Sequence, residues 1–146
     1  MNMKITICAS INFTNEIGQV AEVLKAAGHE IVIPETSGMI LRKEVTLGQI
    51  VEEKHTGEFV NRVIRQDSIA RYYEKVKDCD AILVLNIDKK GIKNYIGGNT
   101  FLEIGFAHVL GKKIYLYNPI PEIEYYKDEI KSMQPVILNR DLKQIK

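Results

Sequence analysis

Apolar and polar positions along the chain fall into short strand-like runs separated by stretches of helical period. Ile5-Thr6-Ile7-Cys8 reads as a first strand, and Ile17, Val20, Ala21 and Leu24 then recur at helical spacing until Gly28 stops the helix. Ile31-Val32-Ile33 predicts a second strand, ended by Pro34. Residues 35–57 are polar and poorly periodic, which predicts a long connection of the lid or binding type, with room for a short helix over Val45 to Val51. From Glu58 to Lys77 the pattern is helical, and Ala81-Ile82-Leu83-Val84-Leu85 is an apolar run suited to a strand covered on both faces. A helix carrying Glu103 follows. Ile114-Tyr115-Leu116-Tyr117 predicts another strand before Asn118-Pro119, a helix covers Ile123 to Met133, and Val136-Ile137-Leu138 forms the last strand.

Strands alternating with helices predict one doubly wound α/β domain over residues 1–146, with a mostly parallel five-stranded sheet of the flavodoxin or Rossmann-like kind. Ligands of such folds bind beyond the carboxyl ends of the strands, where strand order reverses. Three segments should converge there: Ala9-Ser10-Ile11-Asn12, Asn86-Ile87-Asp88 and Asn118-Pro119.

Composition narrows the function classes. The chain is 45% hydrophobic and 27% charged, as in ordinary globular proteins. No window approaches the roughly 20 apolar residues of a membrane span, and no basic segment leads into a long apolar run at the start, so a cytoplasmic protein without membrane contact is expected. A net charge of +1 with scattered lysines argues against polymeric nucleic acid as a partner. Cys8 and Cys79 lie at or beside strands, where free cysteine behaves as a small hydrophobe; without a Cys-x-x-Cys pair, and with three scattered histidines, no zinc site or disulfide framework is expected.

The stretch with most chemistry in it is Tyr95-Ile96-Gly97-Gly98-Asn99-Thr100-Phe101-Leu102-Glu103-Ile104-Gly105-Phe106-Ala107-His108. Its glycines let backbone approach a bound group, and the start of the helix attracts anions. Phe101 to Leu110 contain only Glu103 and His108 as polar side chains, which predicts a helix buried nearly all round with its carboxylate facing a cleft. The competing reading is structural: Thr100 and Glu103 have the spacing of a capping box. His108 reads as a packed, hydrogen-bonded histidine. Tyr72, Tyr73 and Tyr95 are candidates to stack on a base, although aromatic residues at this spacing are more often packing.

The first strand ending in Cys-x-Ser, the Asp80-Ala81 pair before an apolar strand, and the Gly-rich turn with Thr-x-x-Glu-Ile-Gly-x-Ala-x-x-Leu-Gly-Lys-Lys together resemble the nucleoside 2-deoxyribosyltransferase superfamily, which includes 2'-deoxynucleoside 5'-phosphate N-hydrolases. The match is most specific over Asp80 to Ile114. It implies that Glu103 is a nucleophile whose carboxylate attacks the anomeric carbon and displaces the base through a covalent glycosyl ester, which water or a second base then resolves. Transferase members carry an aspartate where this chain has Gly97, and a glycine where it has Asn99; both departures bear on base recognition and on full transferase activity. The resemblance also implies a homo-oligomer. Gly97-Gly98-Asn99-Thr100-x-x-Glu103 is similar, too, to a shortened motif of cytokinin-type nucleoside 5'-monophosphate phosphoribohydrolases.

The leaving base needs an acid or hydrogen-bond donor. Asp67 and Asp88 are the candidates. Asp67 lies on the stripe of Val60, Val63 and Ile64, but equally suits a cap for a helical segment beginning at Ser68. Asp88 also reads as a solvated loop residue beside Lys89 and Lys90. Ser10 and Asn12 occupy the position where phosphate hydrolases of the superfamily grip a 5'-phosphate, while Asn12 or Thr14 could simply cap a helix. Gly97, Gly98, Asn99, Thr100 and Asn118 complete the expected substrate contacts. The chemistry calls for no metal or organic cofactor. The expected activity is cleavage or transfer at the N-glycosidic bond of a small-molecule nucleoside or nucleotide, with a non-catalytic nucleotide-binding module as the rival.

Overall fold

The computed structural model describes residues 2–146. Its five strands are β1 (Lys4–Cys8), β2 (Glu30–Val32), β3 (Ala81–Val84), β4 (Lys113–Leu116) and β5 (Val136–Ile137). All neighbours pair in parallel, in the order β2-β1-β3-β4-β5. That order reverses between β1 and β3, so the crevice of this doubly wound sheet opens beyond Cys8 and Val84, which are register partners.

Alternation along the strands divides the core in two. Ile5 and Ile7 pack with Leu83 against Ile17, Val20 and Leu24 of α1 (Thr14–Ala26). Cys8, Ile82, Val84 and Leu116 face the other way, against Tyr72, Val76, Ile104 and Ala107. Those last four belong to α5 (Ser68–Lys77) and α6 (Gly98–Val109), so Cys8 lies on the same side of the sheet as Glu103.

The segment 35–57, expected as a long connection, is mostly helix: α2 (Glu35–Leu41) and α3 (Leu47–Thr56). Helix α2 escapes hydrophobic periodicity because it buries Thr36, Ser37 and Gly38, with the Ser37 and Thr14 hydroxyls 3.1 Å apart. Helix α3 starts two residues into the expected Val45–Val51 stretch and runs on past it, from a capping box in which Thr46 Oγ1 accepts from the Gln49 amide and Gln49 Oε1 accepts from the Thr46 amide.

The stretch 58–77 is likewise two helices, α4 (Glu58–Gln66) and α5. They break at Asp67, whose φ of 49° is left-handed, a conformation that aspartate tolerates better than most residues. Helix α7 (Lys127–Ser132) is shorter than the expected Ile123 to Met133.

The carboxyl edge of the sheet is locked by two buried asparagines. The Asn86 side chain donates to the carbonyls of Asn118 (2.8 Å) and Pro119 (2.9 Å) and accepts from the Asn118 amide (2.9 Å). Asn118 Nδ2 donates back to the Asn86 carbonyl at 3.0 Å, and its Oδ1 accepts from Arg140 Nε at 3.1 Å. Asn118 is thus fully engaged in joining the ends of β3 and β4. Truncating Asn86 would leave three partners unmatched, two of them buried; Asn86→Ala should lose about 2–3 kcal/mol of stability in urea titrations, and a loss below ~0.5 kcal/mol would contradict this role.

Candidate active site

Glu103 is placed by how α6 begins. The helix starts from Gly97 in extended geometry (φ −84°, ψ 175°), with no side-chain cap. Thr100 therefore lies inside the first turn, buried, and is not the capping residue that its spacing with Glu103 suggested. Glu103 is released from capping. Nor is α6 buried nearly all round: Thr100, Ile104 and Ala107 form its buried stripe, while Leu102, His108 and Val109 are exposed. His108 is a surface residue rather than a packed one. Phe101 stacks on Tyr126 with ring centres 4.6 Å apart, and the Tyr126 hydroxyl donates to the Ile96 carbonyl, which fixes the turn feeding the helix.

Glu103 opens into a cavity walled by the ends of β1 and β2 and by α4, α5 and α6. Burial pushes its pKa up to about 8, with the Cys8 thiol drawing it slightly back. Burial also drives the Cys8 thiol itself well above the usual range, and the adjacent Glu103 adds to the effect. Tyr72 completes the floor, its hydroxyl donating to the Ile7 carbonyl and its phenol kept protonated by burial and by Cys8 and Glu103. With its pKa near 8, the Glu103 carboxyl is mostly protonated at pH 7.

A second cluster lies beside Ser10, whose neighbours Ala9 and Ile11 line the cavity. Ser10 caps the 3₁₀ turn Ile11–Phe13, accepting from the Asn12 amide at 3.3 Å; its hydroxyl and Asn12 Oδ1 are 3.2 Å apart. Neither Asn12 nor Thr14 caps α1, and Thr14 Oγ1 instead donates to the Ile11 carbonyl at 2.5 Å. Lys89 Nζ donates to Ser10 Oγ at 3.1 Å and sits over the Tyr95 ring, 4.8 Å from its centre. Burial lowers the pKa of Lys89, with repulsion from Lys54 and Lys90 added. Lys54, over the cavity-lining Phe59, is lowered likewise by burial and by Lys90. Among the described residues none of these three ammonium groups has a carboxylate partner.

Asp88 supports this cluster rather than facing the cavity. Its carboxylate accepts from the Asn94 amide at 2.9 Å, at the base of a tight turn in which Lys89 and Ile92 exchange backbone hydrogen bonds. Lys90 and Gly91, with φ of 50° and 76°, supply the two left-handed positions of that turn.

Asp67 is exposed at the α4–α5 junction, makes no capping bond and does not line the cavity. Asn99 does line it, whereas Asn118 does not. Gly97 has the Tyr95 ring so close that a Cβ there would stand 3.2 Å from the phenol oxygen; Gly98 has open space around it. Tyr73 packs edge-on against Phe106 at 5.2 Å, so of the three candidate tyrosines only Tyr72 reaches the cavity.

Sequence reasoning missed Cys8, Lys89, Lys54 and an ion pair between Glu35 and Arg71 at 3.2 Å, both of whose members line the cavity. Cys8 was visible as the last residue of a strand aimed at the crevice, but the lysines and the ion pair come from segments far apart in the chain. Among the described residues no group of His, Cys, Asp or Glu could hold a metal ion, and no helix is long and apolar enough to cross a membrane.

The raised pKa of Glu103 couples folding to pH. The unfolded chain loses this proton near pH 4.3, the folded chain near 8. Stability from this group is therefore full below about pH 4 and falls as pH rises to about 8, by ~5 kcal/mol at about 1.4 kcal/mol per pKa unit. Glu103→Gln should match the wild type near pH 4 and exceed it above pH 8 in urea titrations; parallel pH profiles would contradict the neutral buried acid.

No family model and no curated protein matches the chain. Among solved structures it is similar to the Clostridium botulinum CMP N-glycosidase BcmB, with a TM-score of 0.51 and 16% sequence identity over 93% of this chain and 89% of that one. The likeness is one of fold, spanning nearly the whole of both chains. An N-glycosidase thus has the architecture that the motif resemblance implies for this protein.

Proposed function

We propose that the protein cleaves the N-glycosidic bond of a nucleoside 5'-monophosphate, with Glu103 as nucleophile. The observation that carries this reading is the Glu103 carboxyl opening into the cavity, with an ammonium cluster beside Ser10 at its edge that has no carboxylate partner among the described residues. Lys54 and Lys90 depress Lys89, and Lys90 depresses Lys54; an anion relieves both, and a phosphate on Ser10, Lys89 and Lys54 would supply it. The neighbour in fold is named for a nucleoside monophosphate, which supports the same class of substrate.

With phosphate anchored there, the sugar lies toward Glu103. In its ionised form the carboxylate attacks C1', the C1'–N bond breaks, and the electron pair leaves with the base. Water then attacks C1' and displaces Glu103 as a carboxylate, its proton passing to the departed base, so that pentose 5-phosphate and neutral base are released. A carboxylate in low dielectric favours the oxocarbenium-like transition state more than a solvated one would, because the attraction is poorly screened. Neither Asp67 nor Asp88 lines the cavity, so support for the departing base falls to Arg71, a permanently charged donor in the wall.

That neither Asp67 nor Asp88 lines the cavity favours the second reading, a nucleotide-binding module without turnover. Chromatography of free base released from nucleosides and their 5'-monophosphates separates the two. The account expects release from monophosphates, a loss of at least about a thousandfold in Glu103→Gln, and a rise in KM of roughly ten- to a hundredfold for monophosphates but not nucleosides in Lys89→Ala. Equal activity of Glu103→Gln would refute the nucleophile, and binding without any release would establish the module.

A further inference from the structure

We propose that Glu35, braced by Arg71, reads the base, and that the site takes bases bearing an exocyclic amine in preference to those with a carbonyl at the same position. The inference rests on the proposed function for the substrate class, and on the cavity wall for its chemistry.

Glu35 opens α2 directly after Pro34, at the carboxyl end of β2, and shares one cavity with Glu103. Its Oε2 meets Arg71 Nη2 at 3.2 Å, while Arg71 Nη1 donates to the Gln66 carbonyl at 3.3 Å. The guanidinium is thereby anchored at both ends of its fork. Glu35 Oε1 has no hydrogen-bond partner among the described residues. The ion pair is substantially exposed, at 53% and 39% of the Arg71 and Glu35 side chains, so its return to folding is small.

Other charged groups in the wall are already engaged. Arg62 makes two 2.7 Å bonds to Glu53, and Lys75 lies over the Tyr72 ring, 5.7 Å from its centre. Among the described residues the cavity has two carboxyl groups, Glu35 and Glu103. With Glu103 committed to C1', Glu35 is the strong acceptor left for the base.

An acceptor beside a donor is the complement of an amine beside a ring nitrogen. The amine of cytosine or adenine donates to Glu35 Oε1, and the neighbouring ring nitrogen accepts from Arg71. Uracil and hypoxanthine reverse both groups: their carbonyl oxygen would face a carboxylate and their ring N–H a guanidinium. A site built to pair a polar group rejects an analogue that leaves it opposed, here by about ten- to a hundredfold given the partial exposure of the pair.

The test is isothermal titration of the full chain carrying Glu103→Gln, which binds without turnover, against two matched pairs: CMP with UMP, and AMP with IMP. We expect the amino member of at least one pair to bind ten- to a hundredfold more tightly. Adding Glu35→Gln, whose amide can turn to suit either edge, should bring the ratio to within about threefold, and Glu35→Asp should keep most of it. An unchanged ratio in Glu35→Gln, no preference in the parent, or no binding of any of the four overturns the inference. Base release by the wild type is scored separately: amine preference without release retires the glycosidase reading alone, and release with an unchanged ratio retires the role of Glu35 alone.

Discussion

A carboxyl group that cannot ionise freely is the constraint around which this molecule is arranged. Water is the best solvent for a carboxylate, and the crevice at the end of β1 withholds much of it from Glu103. What surrounds the group is neutral: a thiol and a phenol, both held protonated by the same burial. Among the described residues no lysine or arginine forms an ion pair with Glu103, which would have held the carboxylate charged. The positive charge sits instead near Ser10, where in the proposed reaction it would hold an anion and leave the carboxyl unmatched until a cation develops beside it.

The fold meets this constraint with short-range devices. Gly97 starts α6 without a side-chain cap, so Glu103 falls one turn inside the helix and clear of its amides. The parallel order β2-β1-β3-β4-β5 puts the strand reversal next to Cys8, and the face that Cys8 shares with Ile82 and Val84 is the face that α5 and α6 cover. The asparagine lock between Asn86 and Asn118 ties β3 to β4 at the edge where loops must hold their positions. Asp88 does the same for the turn that presents Lys89.

Much of the architecture was legible in the chain. The five apolar runs are the five strands, because a strand covered on both faces needs consecutive apolar residues and has few other ways to be built. Helices α2 and α3 were hidden for a physical reason: α2 buries threonine, serine and glycine, which carry no hydrophobic period, and α3 is signalled by its capping box more than by its apolar face. The apolar stripe runs on through the break at Asp67, which the sequence signalled only through the cap that Asp67 could supply there; α5 does begin at Ser68, without the capping bond. Glu103 stood out as a lone carboxylate among apolar neighbours, although the helix proved buried on one side only. The lysine cluster and the Glu35–Arg71 pair were illegible, as both are made by segments that meet only once the sheet has formed.

The central claim is that the Glu103 carboxylate bonds to the sugar during turnover. The most direct measurement is mass spectrometry of the peptide containing Glu103 after rapid acid quench of the enzyme mixed with a nucleoside 5'-monophosphate. The account predicts a heavier peptide, with the added mass of one pentose phosphate residue localised to Glu103. Base release with that peptide unmodified, and a sugar adduct found on another side chain, would contradict it.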